Sequence, residues 1–546
     1  MNAPSRTEPG KAFPLALQLL TLLTVCAFVY WFRLGDGGFF GTEAHRAVPA
    51  YEMLEAARDR EADQATSMGD WLVPRMFDQP YLRKPPGMPW AIAGMSAVLG
   101  ETVFAARAVS ALSCTIMAFL AFGFARRWFG PRAALCAGLA QALMPVLWET
   151  GRAAEIEPLN NLGTQIAALL LIDAVMFART RPARVLSAMI ASFGVVWFAL
   201  AKGPASVPVI VGVVAAACIV ARSWRPLAGV LWITLAVAGC LIAGLGWMIA
   251  SAAAAEPVAP VTQSPGAFLF EPGMIVGVLT LPFVAFASVL PASFALFFPW
   301  GPDARAESNG PGFTPERYRL ARALALAWLI AIGVFMVFGV RNPRYTLPAA
   351  CLLPPLAGVY LSGIGAWLTP KRGRIARPLV LGRPTLLAGV LIVGALGYMY
   401  TVEANRRATS GSPTGIAIGE ALVDWIVEHP GPIVLIADGV VEARPEVVLE
   451  IERALAQQGL EARVLWIPGL DLKGRDITVE TRFITLLRTD ADVGDRGLET
   501  IDGRDVEPLS LAPDEDGWDF HKYRAALYLV EPGRSQIDRG AGAESP

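Results

Sequence analysis

The sequence predicts an α-helical polytopic membrane protein with an extracytoplasmic α/β domain at its C-terminal end. Three observations carry that expectation. Of 546 residues, 54% are hydrophobic and only 17% charged, and apolar runs recur along most of the chain. Those runs reach roughly 20 residues, enough to cross a hydrocarbon core of about 30 Å. Basic residues cluster in alternate short loops between the runs, and the pattern changes to short alternating apolar stretches beyond Thr401.

The first run, 13–32, follows Arg6 and Lys11. It is too long for a secretory signal core and lacks a small-residue cleavage site after it, so it reads as an uncleaved span. Further spans are expected at 103–125, 131–149, 158–178, 185–201, 204–221, 227–250, 274–298, 320–340, 345–368 and 379–400, about eleven in all. With the N-terminus in the cytoplasm, the loops after even-numbered spans carry the base: Arg126 and Arg127, then Arg179 with Arg181 and Arg184, Arg222 with Arg225, Arg317 with Arg319 and Arg322, and Lys371 with Arg372, Arg374 and Arg377. This matches the positive-inside rule and places the chain in a cytoplasmic (inner) membrane, its C-terminal part outside. The expected division is a membrane domain over 1–400, with an outer loop at 34–88, and a soluble domain over 401–546. Within the outer loop, Ala44 to Asp63 has the composition of a helix lying along the membrane surface. In the soluble part, strands are expected at Ile433 to Ala437, Arg463 to Ile467, Phe483 to Leu487 and Ala525 to Val530, with helices at 415–428 and 445–458.

The near balance of 46 basic and 47 acidic residues offers no footprint for a nucleic-acid partner. All six cysteines lie inside apolar runs without a paired spacing, so they read as packing residues. His45, His429 and His521 form no metal-ligand spacing, and Asp490-Ala491-Asp492 reads as a loop after a strand. No cofactor is implied, and a divalent metal has no ligand set.

The expected topology gathers ionisable residues on the outer side: Glu43, Asp70, Arg83 and Lys84 in the first loop; Arg152, Glu155 and Glu157 after the third span; Lys202 after the fifth; and Arg341, Arg344 and Tyr345 around the turn after the ninth. Each alone would serve as a headgroup anchor. Together they form a candidate site, because charge near a bilayer is costly unless paired or functional. Prolines around Lys84, in Arg83-Lys84-Pro85-Pro86, fix the direction of the lysine.

Several short patterns occur in one order: Gly69-Asp70-Trp71 with Pro74, Lys84-Pro85-Pro86, Phe104-Ala105-Ala106-Arg107, Ala201-Lys202-Gly203-Pro204, Phe298-Pro299-Trp300 and Arg344-Tyr345 with Leu347-Pro348. In that order they resemble the membrane glycosyltransferases of the C-type fold, in the lipid A aminoarabinose transferase and protein O-mannosyltransferase superfamily, over residues 13 to 365. The resemblance implies a polyprenyl phosphate sugar donor, a lipid or protein acceptor, and transfer with inversion at the outer membrane face. A carboxylate would act as general base on the acceptor hydroxyl, and Lys84, Lys202, Arg341 and Arg344, with Tyr345 beside them, would meet the donor phosphate. One departure stands out: Thr42 occupies the position where the family carries the catalytic Asp. Glu43 is the nearest substitute, with Glu155 and Glu157 as further candidates. The other readings are a transporter or flippase, or a non-catalytic relative that binds a glycan or partner. Spans that are apolar at their middles and polar at their outer ends favour the enzyme over the transporter.

Overall fold

A computed structural model describes residues 14–61, 71–77, 79–81, 83–177, 180–254, 273–289, 292–293, 295–296, 314–340 and 343–367 of the N-terminal part. Beyond these it describes 393–394, 397–398, 400–401, 404, 412–430, 433–437, 440–441, 444–460, 462–466, 483–488, 500–501, 504–509, 511, 518–519 and 524–530. Asp70, Phe298-Pro299-Trp300, Arg341, the Asp490-Ala491-Asp492 run, His521 and most of the expected span at 379–400 lie outside the described residues.

The helices in chain order are α1 (Leu15–Cys26, continued by a π turn Ala27–Trp31), α2 (Ala44–Glu61), α3 (Gly87–Leu99), α4 (Val103–Phe129), α5 (Pro131–Ala142), α6 (Pro145–Gly151), α7 (Ile156–Met176), α8 (Arg181–Lys202), α9 (Val207–Ala221), α10 (Arg225–Ala254), α11 (Gly273–Ser288), α12 (Pro315–Val337), α13 (Leu347–Ala350), α14 (Leu353–Trp367), α15 (Ser412–Glu428) and α16 (Pro445–Gln457). Their starts follow local chemistry. The Thr102 hydroxyl accepts from Ala105 N–H at 3.1 Å and so caps α4, and Thr314 followed by Pro315 opens α12 in the same way.

Among the described residues, five helical stretches are long and apolar enough to cross a membrane, or up to seven if two bent pairs each count as one. The bends, 56° between α5 and α6 and 57° between the Arg344–Ala350 and Leu353–Ser362 segments, interrupt what periodicity alone reads as single spans. The 41-residue apolar stretch Arg181–Ala221 is made of α8, a 3-10 turn at Gly203–Ser206 and α9. Gly163 of α7 packs on Gly194 of α8, while Thr164, one residue on, donates at 2.6 Å to Ser206, in the 3-10 turn beyond Lys202. In a straight helix residues 194 and 206 would stand about 18 Å apart, too far for both to meet one turn of α7, so the chain turns between them. Gly203, at φ +66°, ends α8 in a conformation that a side chain would disfavour. The apolar helix α3 lies where the sequence reading placed no span.

The C-terminal part is a mixed seven-stranded sheet in the order β4-β3-β5-β9-β7-β6, with β8 paired to β9. The strands are β3 (Ile433–Ala437), β4 (Ala462–Trp466), β5 (Phe483–Arg488), β6 (Thr500–Ile501), β7 (Arg504–Leu509), β8 (Trp518–Asp519) and β9 (Arg524–Val530), while β1 (Arg75–Met76) and β2 (Gln79–Pro80) form a hairpin in the outer loop. Strand β3 pairs in parallel with β4 and β5, as a strand-helix-strand crossover through α16 requires.

Two apolar cores result. One fills the helix bundle around α4, α7, α9 and α12. The other runs without interruption from Ala47 and Val48 of α2, through Met88 and Ile92 of α3, to Val447 and Ile451 of α16 and Leu435 of β3. The face of α2 that the sequence reading assigned to a membrane surface is therefore covered by protein: Ala44, Ala47, Val48, Tyr51 and Leu54 are all buried.

Candidate functional site

The site begins with one buried ion pair. Arg107, in the second turn of α4, is 1% exposed. Its Nε and Nη2 donate to the two oxygens of Glu43 at 2.9 and 2.8 Å. Its remaining N–H groups donate to the carbonyls of Leu34, Asp36 and Gly38 at 3.2, 2.9 and 2.7 Å. Glu43, also 1% exposed, accepts two further bonds at 2.8 Å, from the backbone N–H groups of Phe40 and Ala154. A carboxylate offers about four lone-pair positions, and these four bonds fill them. The pair ties the loop after α1 to α4 and to the segment that opens α7.

That anchor places Thr42 and Arg46 beside two carboxylates from the start of α7. Glu155 and Glu157 are 9% and 5% exposed. Thr42 donates to Glu155 Oε1 at 3.2 Å. Arg46, in the first turn of α2, donates to the Thr42 hydroxyl at 2.6 Å and lies 3.0 Å from Glu155 Oε2. Lys202, the last residue of α8, meets Glu157 at 2.9 Å. Arg344, from the 3-10 turn Pro343–Thr346, bridges both carboxylates, 2.6 Å from Glu155 Oε2 and 2.9 Å from Glu157 Oε1. The Lys202 ammonium also stands 4.5 Å over the Tyr345 ring. Helix termini supply the local reason for this placement, since the N-terminus of α7 favours Glu157 and the C-terminus of α8 favours Lys202.

Among the described residues three cations face two carboxylates here, an excess of positive charge. The two carboxylates differ in how they are held. Glu157 receives N–H bonds from Lys202 at 2.9 Å and Arg344 at 3.1 Å. Glu155 accepts from Thr42 on Oε1, and its Oε2 lies between two cations, 3.0 Å from Arg46 and 2.6 Å from Arg344. Burial pushes the Glu155 carboxyl up from its usual range, helped by the charge of Glu157 and opposed by Arg46 and Arg344.

Lys84 stands apart from this cluster. It is exposed, and with Arg83 it edges a groove of about 450 Å³ whose walls include Leu72, Pro86, Leu200, Ile242 and Leu245. The groove and the cluster adjoin. Tyr81 lies within electrostatic reach of both Arg83 and Arg46, and its ring centroid is 6.4 Å from that of His45.

The structure thus brings Glu155, Glu157, Lys202, Arg344 and Tyr345 together, sets Lys84 at the neighbouring groove, and buries Glu43 in an anchor. Arg152 serves the backbone, donating to the Phe32 carbonyl at 2.8 Å where the π turn ends. Sequence reasoning missed Arg46 and Arg107 as parts of the site. Arg107 did carry a signal, the Phe104-Ala105-Ala106-Arg107 pattern, but nothing local to it names Glu43 as its partner.

A family model described as dolichyl-phosphate-mannose-protein mannosyltransferase matches residues 83–249. An undecaprenyl phosphate-alpha-4-amino-4-deoxy-L-arabinose arabinosyl transferase of Pseudomonas aeruginosa (strain LESB58) is 30% identical over 185 residues, 33% of this chain and 33% of the relative. The enzyme of the same name from Pseudomonas savastanoi pv. phaseolicola is 36% identical over 120 residues, 22% of this chain and 20% of the relative. The chain therefore matches these curated relatives over a third of their length or less. Over nearly the whole chain it shares the fold of the crystal structure of ArnT from Cupriavidus metallidurans in the apo state, with a TM-score of 0.63 at 16% identity over 94% of this chain and 98% of that one. The same protein bound to undecaprenyl phosphate superposes with a TM-score of 0.61 over the same shares. The helical bundle with its C-terminal sheet accordingly has the fold of that protein.

Proposed function

We propose that this chain is a glycosyltransferase that moves a sugar, a pentose or a hexose, from a polyprenyl phosphate carrier to a lipid or protein acceptor. Transfer would take place at the outer face of the cytoplasmic membrane. The names of the relatives and the undecaprenyl phosphate held by a protein of the same fold support the donor class. One observation carries the reading: Arg46, Lys202 and Arg344, from three distant segments, converge on Glu155 and Glu157 beside an apolar groove edged by Arg83 and Lys84. An apolar groove with cations at its mouth fits a long isoprenoid bearing a phosphate, and the excess charge beyond it fits the place where that phosphate departs.

In the reaction, the acceptor oxygen bonds to the anomeric carbon as the bond from that carbon to the phosphate oxygen breaks, inverting the centre. The phosphate keeps the electron pair, and Lys84, Lys202 and Arg344 stabilise the charge that grows on it. Arg341, two residues before Pro343, belongs to the same proposed phosphate-binding set, and Tyr345 steadies Lys202. Of the three candidate carboxylates, we assign Glu155 as the base, because it bonds the exposed Thr42 at the open side of the cluster and burial raises its affinity for a proton. Glu157 holds Lys202 and Arg344, and Glu43 is an anchor. The eleven-span topology, with the N-terminus cytoplasmic and residues 401–546 forming an outer domain, is part of the same proposal.

The test is release of polyprenyl phosphate from a panel of polyprenyl phosphate sugars by protein purified in detergent or liposomes. Wild type should release it from at least one donor, and Lys84→Ala should raise the donor KM about tenfold or more, as loss of one charge-assisted contact implies. Folded wild-type protein that releases nothing from any pentosyl or hexosyl donor contradicts the proposal.

A further inference from the structure

Resting on that donor reading, we propose that Arg344 is a latch on Glu155: it occupies the carboxylate in the resting site, and the incoming donor phosphate draws it away, leaving Oε2 to take the proton of the acceptor hydroxyl. The contacts set up such an exchange. Arg344 is the most exposed of the cluster's five charged groups, with 41% of its side-chain surface open, against 7 to 13% for Glu157, Lys202, Glu155 and Arg46. It is also shared. Its Nη2 donates to Glu157 Oε2 at 3.1 Å and also lies 2.6 Å from Glu155 Oε2, so one nitrogen serves both carboxylates. Its Nε lies 2.9 Å from Glu157 Oε1, so Arg344 has a second contact on Glu157 while its contact with Glu155 runs through the shared Nη2. Arg is suited to the change of partner, because its planar fork grips phosphate through two parallel N–H groups.

Other groups hold the surroundings of Glu155 in place while Arg344 moves.

 Thr42 keeps Oε1 oriented at 3.2 Å. Arg46 stays on the same carboxylate at 3.0 Å, itself fixed by its bond to Thr42. From α4, the Ser110 hydroxyl donates to the Glu155 carbonyl at 3.0 Å, which secures the backbone beneath. The remaining charge facing Glu155 is that of Glu157, which is paired with Lys202. Withdrawing Arg344 removes one of the two cations on Glu155 and leaves its carboxylate neighbour, so its affinity for a proton rises at the step that needs a base. Until the donor arrives, the base stays covered. The proton passes from the acceptor oxygen to Oε2 as the new glycosidic bond forms, and the polyprenyl phosphate leaves with the electron pair of the broken bond.

The experiment measures proton uptake when polyprenyl phosphate itself binds, by titration calorimetry in two buffers of different ionisation heat. Wild type should take up more protons than Glu155→Gln, which keeps the shape of the side chain. Arg344→Ala should lose most of that difference even at saturating lipid. Arg344→Lys, which keeps the charge without the fork, should retain part of it. In turnover, Glu155→Gln should lower kcat by about 10²- to 10⁴-fold with little change in donor KM, whereas Arg344→Ala should raise KM and flatten the pH dependence of kcat. Binding with equal proton uptake in wild type and Glu155→Gln would overturn the latch and leave the donor site standing. No binding of polyprenyl phosphate to folded wild type would overturn the donor reading and the latch with it.

Discussion

A carboxylate with every acceptor position filled by protein cannot also receive a substrate proton, and this separates Glu43 from Glu155. Glu43 accepts two bonds from Arg107 and two from backbone N–H groups inside the protein. Breaking such a buried pair from one side leaves the other charge without its counter-ion, at a cost of about 3–5 kcal/mol. Glu43→Gln should therefore lower the thermal unfolding midpoint in detergent by several degrees, while Glu155→Gln leaves it nearly unchanged; equal midpoints for the two variants would contradict the anchor. The members of the cluster were legible in the sequence, because the basic loops predict which span ends share a side, and Lys202, Arg344, Glu155 and Glu157 do come together. Which carboxylate has capacity left was not legible. That depends on Glu43 meeting residues 64 and 111 positions away, and no local pattern encodes those distances.

At the scale of elements, the site depends on α7 and α8 running close together. Gly163 and Gly194 face each other, and a Cβ on Gly163 would come within 2.8 Å of the Gly194 carbonyl oxygen and the Phe198 nitrogen. Backbone atoms cannot yield as a flexible side chain can. Gly163→Val should thus cost about 1–3 kcal/mol by overpacking and should move Glu157 away from Lys202, raising the donor KM; a variant with wild-type stability and KM would show that the spacing is not needed. The turn after Lys202 was readable from a lysine and a Gly-Pro pair between two apolar runs. The bends in the α5–α6 and α13–α14 pairs were not, since apolar composition continues through them and hydropathy has no term for direction. The helix α3 was missed for a related reason: at 13 residues it is shorter than a full span.

Across the whole molecule, the second core joins the outer loop to the C-terminal sheet, and α2 is the element between them. One end of α2 carries Arg46 into the site, while α16 packs on its side. Arg453 of α16 donates to the Glu101 carbonyl at 3.1 Å and lies 5.7 Å over the Tyr51 ring. Close by, burial and the charge of Glu55 push the Glu452 carboxyl up to about 7, with Arg453 opposing. Because the folded state holds this proton more tightly than the unfolded chain, the contribution is most favourable below the ordinary value of 4.5, declines as pH rises, and is lost above about 7. Thermal unfolding between about pH 5 and pH 8 should show a midpoint that falls with rising pH, and Glu452→Gln should remove that part of the slope. An identical slope in both proteins would contradict the assignment. The sheet's strands β3, β4, β5 and β9 were readable from their apolar alternation. Their docking was not, because the face of α2 that meets α16 looks in sequence like a face that would meet lipid.

The most direct test of a sugar transferase that uses Glu155 is single-turnover release of polyprenyl phosphate from the preferred donor in the presence of acceptor. It compares wild type with Glu155→Gln under conditions where both bind the lipid equally. Release by wild type and a fall of about 10²- to 10⁴-fold in the variant is the predicted result. Equal release by both proteins would remove Glu155 from the chemistry, and no release by folded wild type from any donor would contradict the transferase itself.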